Sequence, residues 1–332
     1  MLNQENTNDM NEFESRVDLS EIKQKIDQLK HHLAQVIIGQ EAFIDQLIIA
    51  LLGNGHVLIE GVPGVAKTLA AKSLAKSIAT QFTRIQFTPD LMPSDVLGTT
   101  IYNQKSQEFE LRKGPIYSNI VLIDEINRAP AKTQAALFEV MEEYQITVDG
   151  TSIPLEAPFM VLATQNPIEH EGTYRLPEAQ LDRFMMKILV SYPSQQEEIQ
   201  VLSMHHHANA QDPTKALVEV LNAKEILALR NLVKQVSVSE SILSYINDIV
   251  RLSRNFNGIY MGASPRGGVA ILNAAKAKAA MEGRDFVIPD DIKYCALPVL
   301  RHRILLSPEK EMEGVQADDL LNSLLNQVEV PR

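Results

Sequence analysis

Ile22, Ile26, Leu29, Leu33 and Ile37 recur at intervals of three and four in an otherwise polar stretch, the period of a helix with one face turned to a core. A second helix is predicted through Phe43 to Leu52. The period then changes. Short apolar runs near 56–60, 84–88, 120–124, 159–164 and 185–190 are each the length of one strand, with helix-sized segments between them. Strands alternating with helices predict a parallel α/β sheet.

Two connections carry extra pattern. Thr99 to Tyr117 reads as a hairpin with a polar tip at Asn103 to Gln107, set into a helix-sized connection. Gln145 to Leu155 holds Asp149-Gly150 between two short β-prone runs, a strong hairpin turn signal. From Pro193 onward the strand pattern stops, and helices are predicted over Glu197 to His206, Lys224 to Val236, Glu240 to Arg254, Pro265 to Met281 and Pro289 to Arg301. Asn222 and Ser239 stand where N-caps belong, and Gly283 where a helix end favours a left-handed residue. The expected organisation is a fraying polar tail over 1–17, an α/β domain over 18–192 and a helical domain over 193–332.

The strongest chemical signal is Gly61-Val62-Pro63-Gly64-Val65-Ala66-Lys67-Thr68, behind the first strand and ahead of a helix that begins with Leu69. A strand, a glycine-containing turn and a helix N-terminus bring backbone N–H groups around phosphate oxygens. Lys67 adds a cation for the outer phosphates and Thr68 a hydroxyl for Mg²⁺. Ala66 stands where glycine is usual before the lysine. A methyl is accepted there if the backbone is right-handed and is costly if φ is positive.

Ile120 to Ile123 ends in Asp124-Glu125, a central strand delivering two acids at its C-terminal edge, where α/β sheets bind ligands. Asp124 is expected to hold the Mg²⁺ shell opposite Thr68. Glu125 is expected to act as the base that orients and deprotonates a water for in-line attack on a γ-phosphate. Asn166 follows the strand at 159–164 and is placed to position that water. Arg183 precedes the last strand, at the sheet edge away from its own nucleotide, and so suits a neighbour's γ-phosphate. Ser264-Pro265-Arg266 has the signature of a helix start, from which Arg266 is expected to reach back to the nucleotide.

Taken together, Ile38-Gly39-Gln40, GVPGVAKT, Asp124 to Pro130, Ala163 to Pro167 and Leu176 to Phe184 resemble the MoxR group of AAA+ ATPases over roughly residues 20–310. The resemblance implies a P-loop parallel five-stranded sheet in the order 5-1-4-3-2, flanked by helices, with a C-terminal all-helical lid domain. It implies ATP and Mg²⁺ as cofactors, with Ile38, Gly39 and Gly61 through Leu69 at the nucleotide. It accepts alanine at position 66. By motif, Asn166 is sensor 1, Arg183 the arginine finger and Arg266 sensor 2. Arg175, where the group commonly has proline, is the other candidate finger. The two hairpins resemble a helix-2 insert and a pre-sensor-1 hairpin directed toward a pore. The family reading is a homo-oligomer, a hexameric ring or spiral, doing chaperone-like work on a protein partner, often one with a von Willebrand factor A domain.

Composition is consistent with this. A chain of 332 residues that is 45% hydrophobic can bury a sizeable core. It has no run of about 18 uncharged apolar residues, so direct membrane insertion is not expected. The polar start has no secretory h-region. Cys295 is the single cysteine, expected buried in a helix; with no disulfide possible, a cytoplasmic location is expected. A net charge of −11 without a basic tail or stripe favours a protein client over nucleic acid. The consecutive histidines 31–32 and 205–207 point about 100° apart on a helix and read as solvated helix-end residues. Two alternatives stand beside the leading reading: a nucleic-acid-dependent AAA+ motor, and a nucleotide-gated scaffold with little hydrolysis.

Overall fold

The computed structural model describes residues 18–62, 64–166, 174, 176–207 and 213–331. The first part runs α1 (Ser20–Ala34), α2 (Glu41–Leu52), β1 (Val57–Gly61), α3 (Lys67–Ser77), β2 (Phe82–Gln86), α4 (Pro93–Leu97), β3 (Gly98–Asn103), β4 (Glu108–Lys113) and β5 (Ile120–Asp124). It continues through α5 (Ala131–Glu143), β6 (Gln145–Val148), β7 (Thr151–Pro154), β8 (Met160–Gln165), α6 (Glu178–Leu181) and β9 (Met186–Val190). The helical part comprises α7 (Gln195–His207), α8 (Ala223–Lys234), α9 (Glu240–Ser253), β10 (Ile259–Met261), α10 (Pro265–Met281), α11 (Pro289–Leu300), β11 (Leu305–Leu306), α12 (Pro308–Met312) and α13 (Ala317–Leu325).

The five predicted strands form one parallel sheet in the order β2-β5-β8-β1-β9, the expected 5-1-4-3-2. Its central strands β5, β8 and β1 are largely apolar because both faces are covered, whereas the edge strand β2 exposes Arg84 and Gln86. On β5, Ile120 and Leu122 enter the cluster that holds α1, α2 and α3, while Val121 and Ile123 enter a second cluster with Leu137 and Phe138 of α5. Each such side chain contributes roughly 1.5–3 kcal/mol on burial, so β5 is anchored from both sides and carries its terminal acids on a rigid support.

Both predicted hairpins form. β3 pairs antiparallel with β4, Asn103 opposite Glu108, and β6 with β7, Val148 opposite Thr151. Asp149 and Gly150 both have positive φ, 49° and 78°, the two-residue turn that matches strand twist.

In the helical part, Asn222 caps α8 by accepting from Glu225 N at 3.1 Å, and Glu225 returns the bond to Asn222 N at 2.9 Å. Ser239 caps α9 and Gly283 ends α10 at φ 76°. Ser264 occupies the N-cap of α10, but its hydroxyl donates to Asp182 Oδ2 at 3.1 Å rather than to its own helix. The ribbon of β10 and β11, with α12 and α13, is an addition to the helices read from the sequence; strands of three and two residues carry too little pattern to be read.

The apolar cluster on the first face of the sheet continues without a break into the helical part: Leu29, Ile48, Ile226, Ile271 and Ile292 belong to it together. Polar ties follow the same seam. Arg230 Nε donates to Leu51 O at 2.8 Å, Lys25 pairs with Glu225 at 2.7 Å, and Arg301 Nη1 donates to Lys187 O at 3.1 Å. Helices α8, α10 and α11 are therefore packed against α1, α2 and β9.

Candidate active site

Gly61 ends β1 and Lys67 opens α3, so the turn between them is the phosphate loop; Pro63 lies outside the described residues. Gly64 has φ 89° with open space where a side chain would be. Ala66 has φ 59° and ψ 20°, the costly of the two cases, and the methyl carries strain of about 1 kcal/mol. Val62 and Val65 pack into the core beneath the loop, with Leu69 behind them. Lys67 Nζ donates to Gly61 O at 2.6 Å, which curls the ammonium over the loop. Burial lowers its pKa, opposed by the charges of Asp124, Glu125 and Glu60. Thr68 is half-buried in the first turn of α3.

The strand order brings the acids to this loop. β8 lies between β5 and β1, with Ile123 opposite Ala163 and Glu60 opposite Gln165. Asn166, the next residue, therefore emerges between Asp124 and Gly61. Asp124 is buried; its Oδ1 accepts from Thr164 Oγ1 at 3.1 Å and its Oδ2 from Arg84 Nε at 2.5 Å. Thr164 Oγ1 also accepts from Glu125 N at 3.0 Å. Glu125 sits at φ 57°, a left-handed geometry that costs energy in a non-glycine residue and clusters at functional sites. Its Oε2 accepts from Gln86 Nε2 at 2.7 Å and pairs with Arg128 Nε at 3.1 Å. A lysine, a hydroxyl and a carboxylate facing one anion-binding turn are the donor set that a nucleotide triphosphate with Mg²⁺ requires: oxygen ligands for the ion, N–H and ammonium for the phosphates.

Beside the loop lies a cleft of about 550 Å³ lined by Ile38, Gln40, Ala66, Tyr192, Leu202 and His205. Gln40 Nε2 donates to Ser191 O at 3.0 Å and fixes this wall. Gly39 has φ 71°, a left-handed geometry that favours glycine, and the Glu197 side chain of α7 lies over it. His205 thus borders the cleft, a position that its place in a run of three histidines did not indicate.

Arg183 and Arg266 are elsewhere. Both line a cavity of about 310 Å³ with Asn54, Gly55, His56 and Glu142. Arg183 precedes β9, and Gly55 and His56 precede β1, whereas the phosphate loop follows β1; the two edges of the sheet are roughly 17 Å apart at about 3.3 Å per residue. Glu142 pairs with Arg183 and, at 3.0 Å, with Arg266. The expectation that Arg266 reaches back to its own nucleotide is corrected here: Ser264 and Arg303 are bonded to Asp182, which pins the start of α10 to the edge opposite the loop. Arg175 lies outside the described residues.

Residues 56–186 match the family model for ATPases associated with various cellular activities (AAA), and residues 251–324 match the AAA lid domain. The chain is 41% identical over 307 residues to Chaperone MoxR1 of Mycobacterium tuberculosis, covering 90% of this chain and 80% of that one. This chain belongs to the MoxR family of AAA+ ATPases. Within the MoxR family it is also similar to the Protein MoxR of Methylorubrum extorquens, at 29% identity over 324 residues, covering 91% and 94% of the two chains. A Bacillus subtilis protein, YeaC, itself uncharacterised, is 49% identical over 300 residues, covering 90% and 93%. A crystal structure of a candidate ATPase from Cytophaga hutchinsonii superposes with a TM-score of 0.87 at 42% identity, covering 95% of this chain and 97% of that one.

Several residues at this MoxR site escaped the sequence reading. Arg84 and Gln86 alternate around Ile85 on β2, and Gln86 pairs in register with Asp124; two polar side chains on one face of a strand beside the acid strand were the available signal. Arg303 gave none, because an arginine after a helix reads as solvated. Glu142 had one: it lies in the last turn of a helix with no basic residue there, the wrong sign for a helix C-terminus.

Proposed function

We propose that this chain is a Mg²⁺-dependent ATP hydrolase that works as a homo-oligomer, a hexamer, and remodels a protein client in the cytoplasm, the client carrying a von Willebrand factor A domain. The observation that supports this most is the division of the site between two edges of one sheet: Lys67, Thr68, Asp124, Glu125 and Asn166 at one, Arg183 and Arg266 at the other. Neither set is complete without a second copy. Both arginines then serve the nucleotide of a neighbour.

In this reading Lys67 and the loop N–H groups hold the β- and γ-phosphates, and the Ile38 to Gln40 cleft takes the base. Thr68 and Asp124 would hold Mg²⁺, which when bound draws charge from the phosphate oxygens. Glu125 gives up its bonds to Gln86 and Arg128, accepts a proton from water, and the water oxygen bonds to the γ-phosphorus as the bond to the ADP oxygen breaks. Asn166 orients that water. The two guanidinia from the neighbour meet the charge that builds on the γ-phosphate oxygens. The acidic chain, −11 overall, favours a protein client, and among the described residues no helix is long and apolar enough to cross a membrane.

The test is ATP turnover by the wild type and by Arg183→Ala, apart and mixed, with particle size followed by light scattering. The shared-site reading expects turnover to rise with assembly and the variant to bind ATP yet poison mixed particles. Turnover independent of concentration and indifferent to Arg183 would overturn it. Glu125→Gln is expected to bind ATP and not turn it over. Stimulation of turnover by single-stranded DNA in place of protein would point to a nucleic-acid motor.

A further inference from the structure

Glu142 joins the two arginines at the far edge of the sheet. It sits in the last turn of α5, followed by Glu143 and then Tyr144 at φ 52°, with no basic residue in that turn. Two carboxylates at the negative end of a helix oppose its dipole, so α5 by itself gains nothing from Glu142. What the carboxylate does instead is visible in its contacts: one oxygen pairs with Arg183 and the other with Arg266 Nη2 at 3.0 Å. The two guanidinia arrive from different elements, Arg183 from the turn before β9 and Arg266 from the first turn of α10. Without a negative charge between them, two cations held this close repel and separate. With it, the cluster keeps a net charge of one positive unit and its fork geometry.

The geometry points to Glu142 as the positioning residue for a two-arginine phosphate clamp, holding Arg183 and Arg266 at one spacing so that both can meet a γ-phosphate presented by a neighbouring subunit. This rests on the proposal that the arginines act in trans. Glu142 does not touch the phosphate. It sets where the guanidinia are, and leaves enough positive charge for a polyanion to be attracted. The remainder of the arrangement is rigid: Asp182, next to Arg183, is held by Arg303 Nε at 2.6 Å and by Ser264 Oγ at 3.1 Å, so the arginine side chains and not their backbones are the parts that need to be placed.

The experiment uses the isosteric Glu142→Gln in the full chain, mixed with Lys67→Ala, which cannot bind nucleotide but carries an intact clamp. Alone, Glu142→Gln is expected to bind ATP with unchanged affinity, to assemble to the same size, and to lose at least tenfold in kcat with little change in KM. Mixed with Lys67→Ala, its turnover per competent site is expected to recover, because intact clamps from the second variant then face its nucleotides. A kcat within twofold of wild type overturns the inference, as does a loss that the mixture fails to restore. Should Glu142→Gln assemble poorly, the comparison moves to the Arg183→Ala, Arg266→Ala background, where positioning predicts that Glu142→Gln lowers kcat no further; an added loss of tenfold there overturns it. Arg183→Ala mixed with Lys67→Ala is the control for the underlying reading. If that pair also fails to recover, the trans reading itself fails; if it recovers and Glu142→Gln does not, only the role of Glu142 is lost.

Discussion

Arg303 Nε lies 2.6 Å from Asp182 Oδ1, and the rest of the Arg303 guanidinium is spent on main-chain oxygens around the same turn: Asp182 at 3.1 Å, Phe184 at 2.7 Å, Met185 at 3.0 Å, and Val299. A side chain only 3% exposed thereby templates the segment that carries Arg183. The neighbouring His302 adds a bond to Phe184 O. This is a structural use of arginine at a site where sequence motifs draw attention to a different one.

Arg303→Met should be severely destabilising. It strips Asp182 of its charged partner and leaves several buried carbonyls unmet, and breaking a buried pair from one side costs about 3–5 kcal/mol. Arg303→Lys should rescue little, since a point charge cannot reproduce the fork. Urea unfolding of the two variants beside the wild type checks both; a loss under 1 kcal/mol for Arg303→Met would contradict the template.

Ala66→Gly should stabilise the protein. At φ 59° glycine removes a Cβ clash of about 1 kcal/mol, partly offset by the greater freedom of glycine when unfolded. The expected gain is about 0.5 kcal/mol in denaturant unfolding without nucleotide. A loss of stability would mean that the loop does not hold this backbone geometry.

Stability should fall as pH drops from about 6.5 to about 4. His56 is buried, with Nδ1 accepting from Val161 N at 3.0 Å, so Nε2 carries the proton and donates to Met141 O at 3.0 Å. Burial first, then repulsion from Arg230 against the Met141 bond, holds its pKa down at about 4. Above pH 6.5 the ring is neutral folded and unfolded, and nothing is gained or lost. Below it only the unfolded chain takes up the proton, so His56 alone removes about 3 kcal/mol by pH 4. His302, also buried, is pushed down well below the ordinary histidine range by burial and by Arg303, and acts in the same direction. Unfolding free energy measured across this range, with His56→Phe compared, tests the slope; the variant should be less stable at pH 8 yet flatter with pH.

Cys295 should be inert toward thiol reagents in the folded protein. It is 1% exposed in α11, and burial, with the Asp291 charge second, raises its thiol far above the ordinary range. The thiolate is the reactive form, so labelling by iodoacetamide should follow global unfolding and appear only with denaturant. Rapid labelling under native conditions would contradict the packing of this helix.

The centre of the sheet was legible because parallel strands buried on both faces are plain apolar runs, and because Gly61 to Thr68 and Asp124-Glu125 mark strand ends. The hairpin at Asp149-Gly150 was legible from its turn chemistry. Strand order came from resemblance, since periodicity says nothing about which runs are neighbours. What stayed hidden depended on pairings far apart in the chain: Arg303 with Asp182, Glu142 with Arg183 and Arg266, Arg84 with Asp124. Each is a charged residue that, taken alone, reads as solvated. The direction of Arg266 was misjudged for the same reason, because a helix start can be read from Ser264-Pro265 but the surface it packs on cannot.

A sheet with a phosphate loop at one edge and paired guanidinia at the other has unlike ends, so the shared site proposed above requires copies to join head to tail. A twofold dimer uses the same patch on both partners and cannot satisfy this polarity. Repetition then leads to a ring where the rotation per copy closes and to a helical strand where it does not.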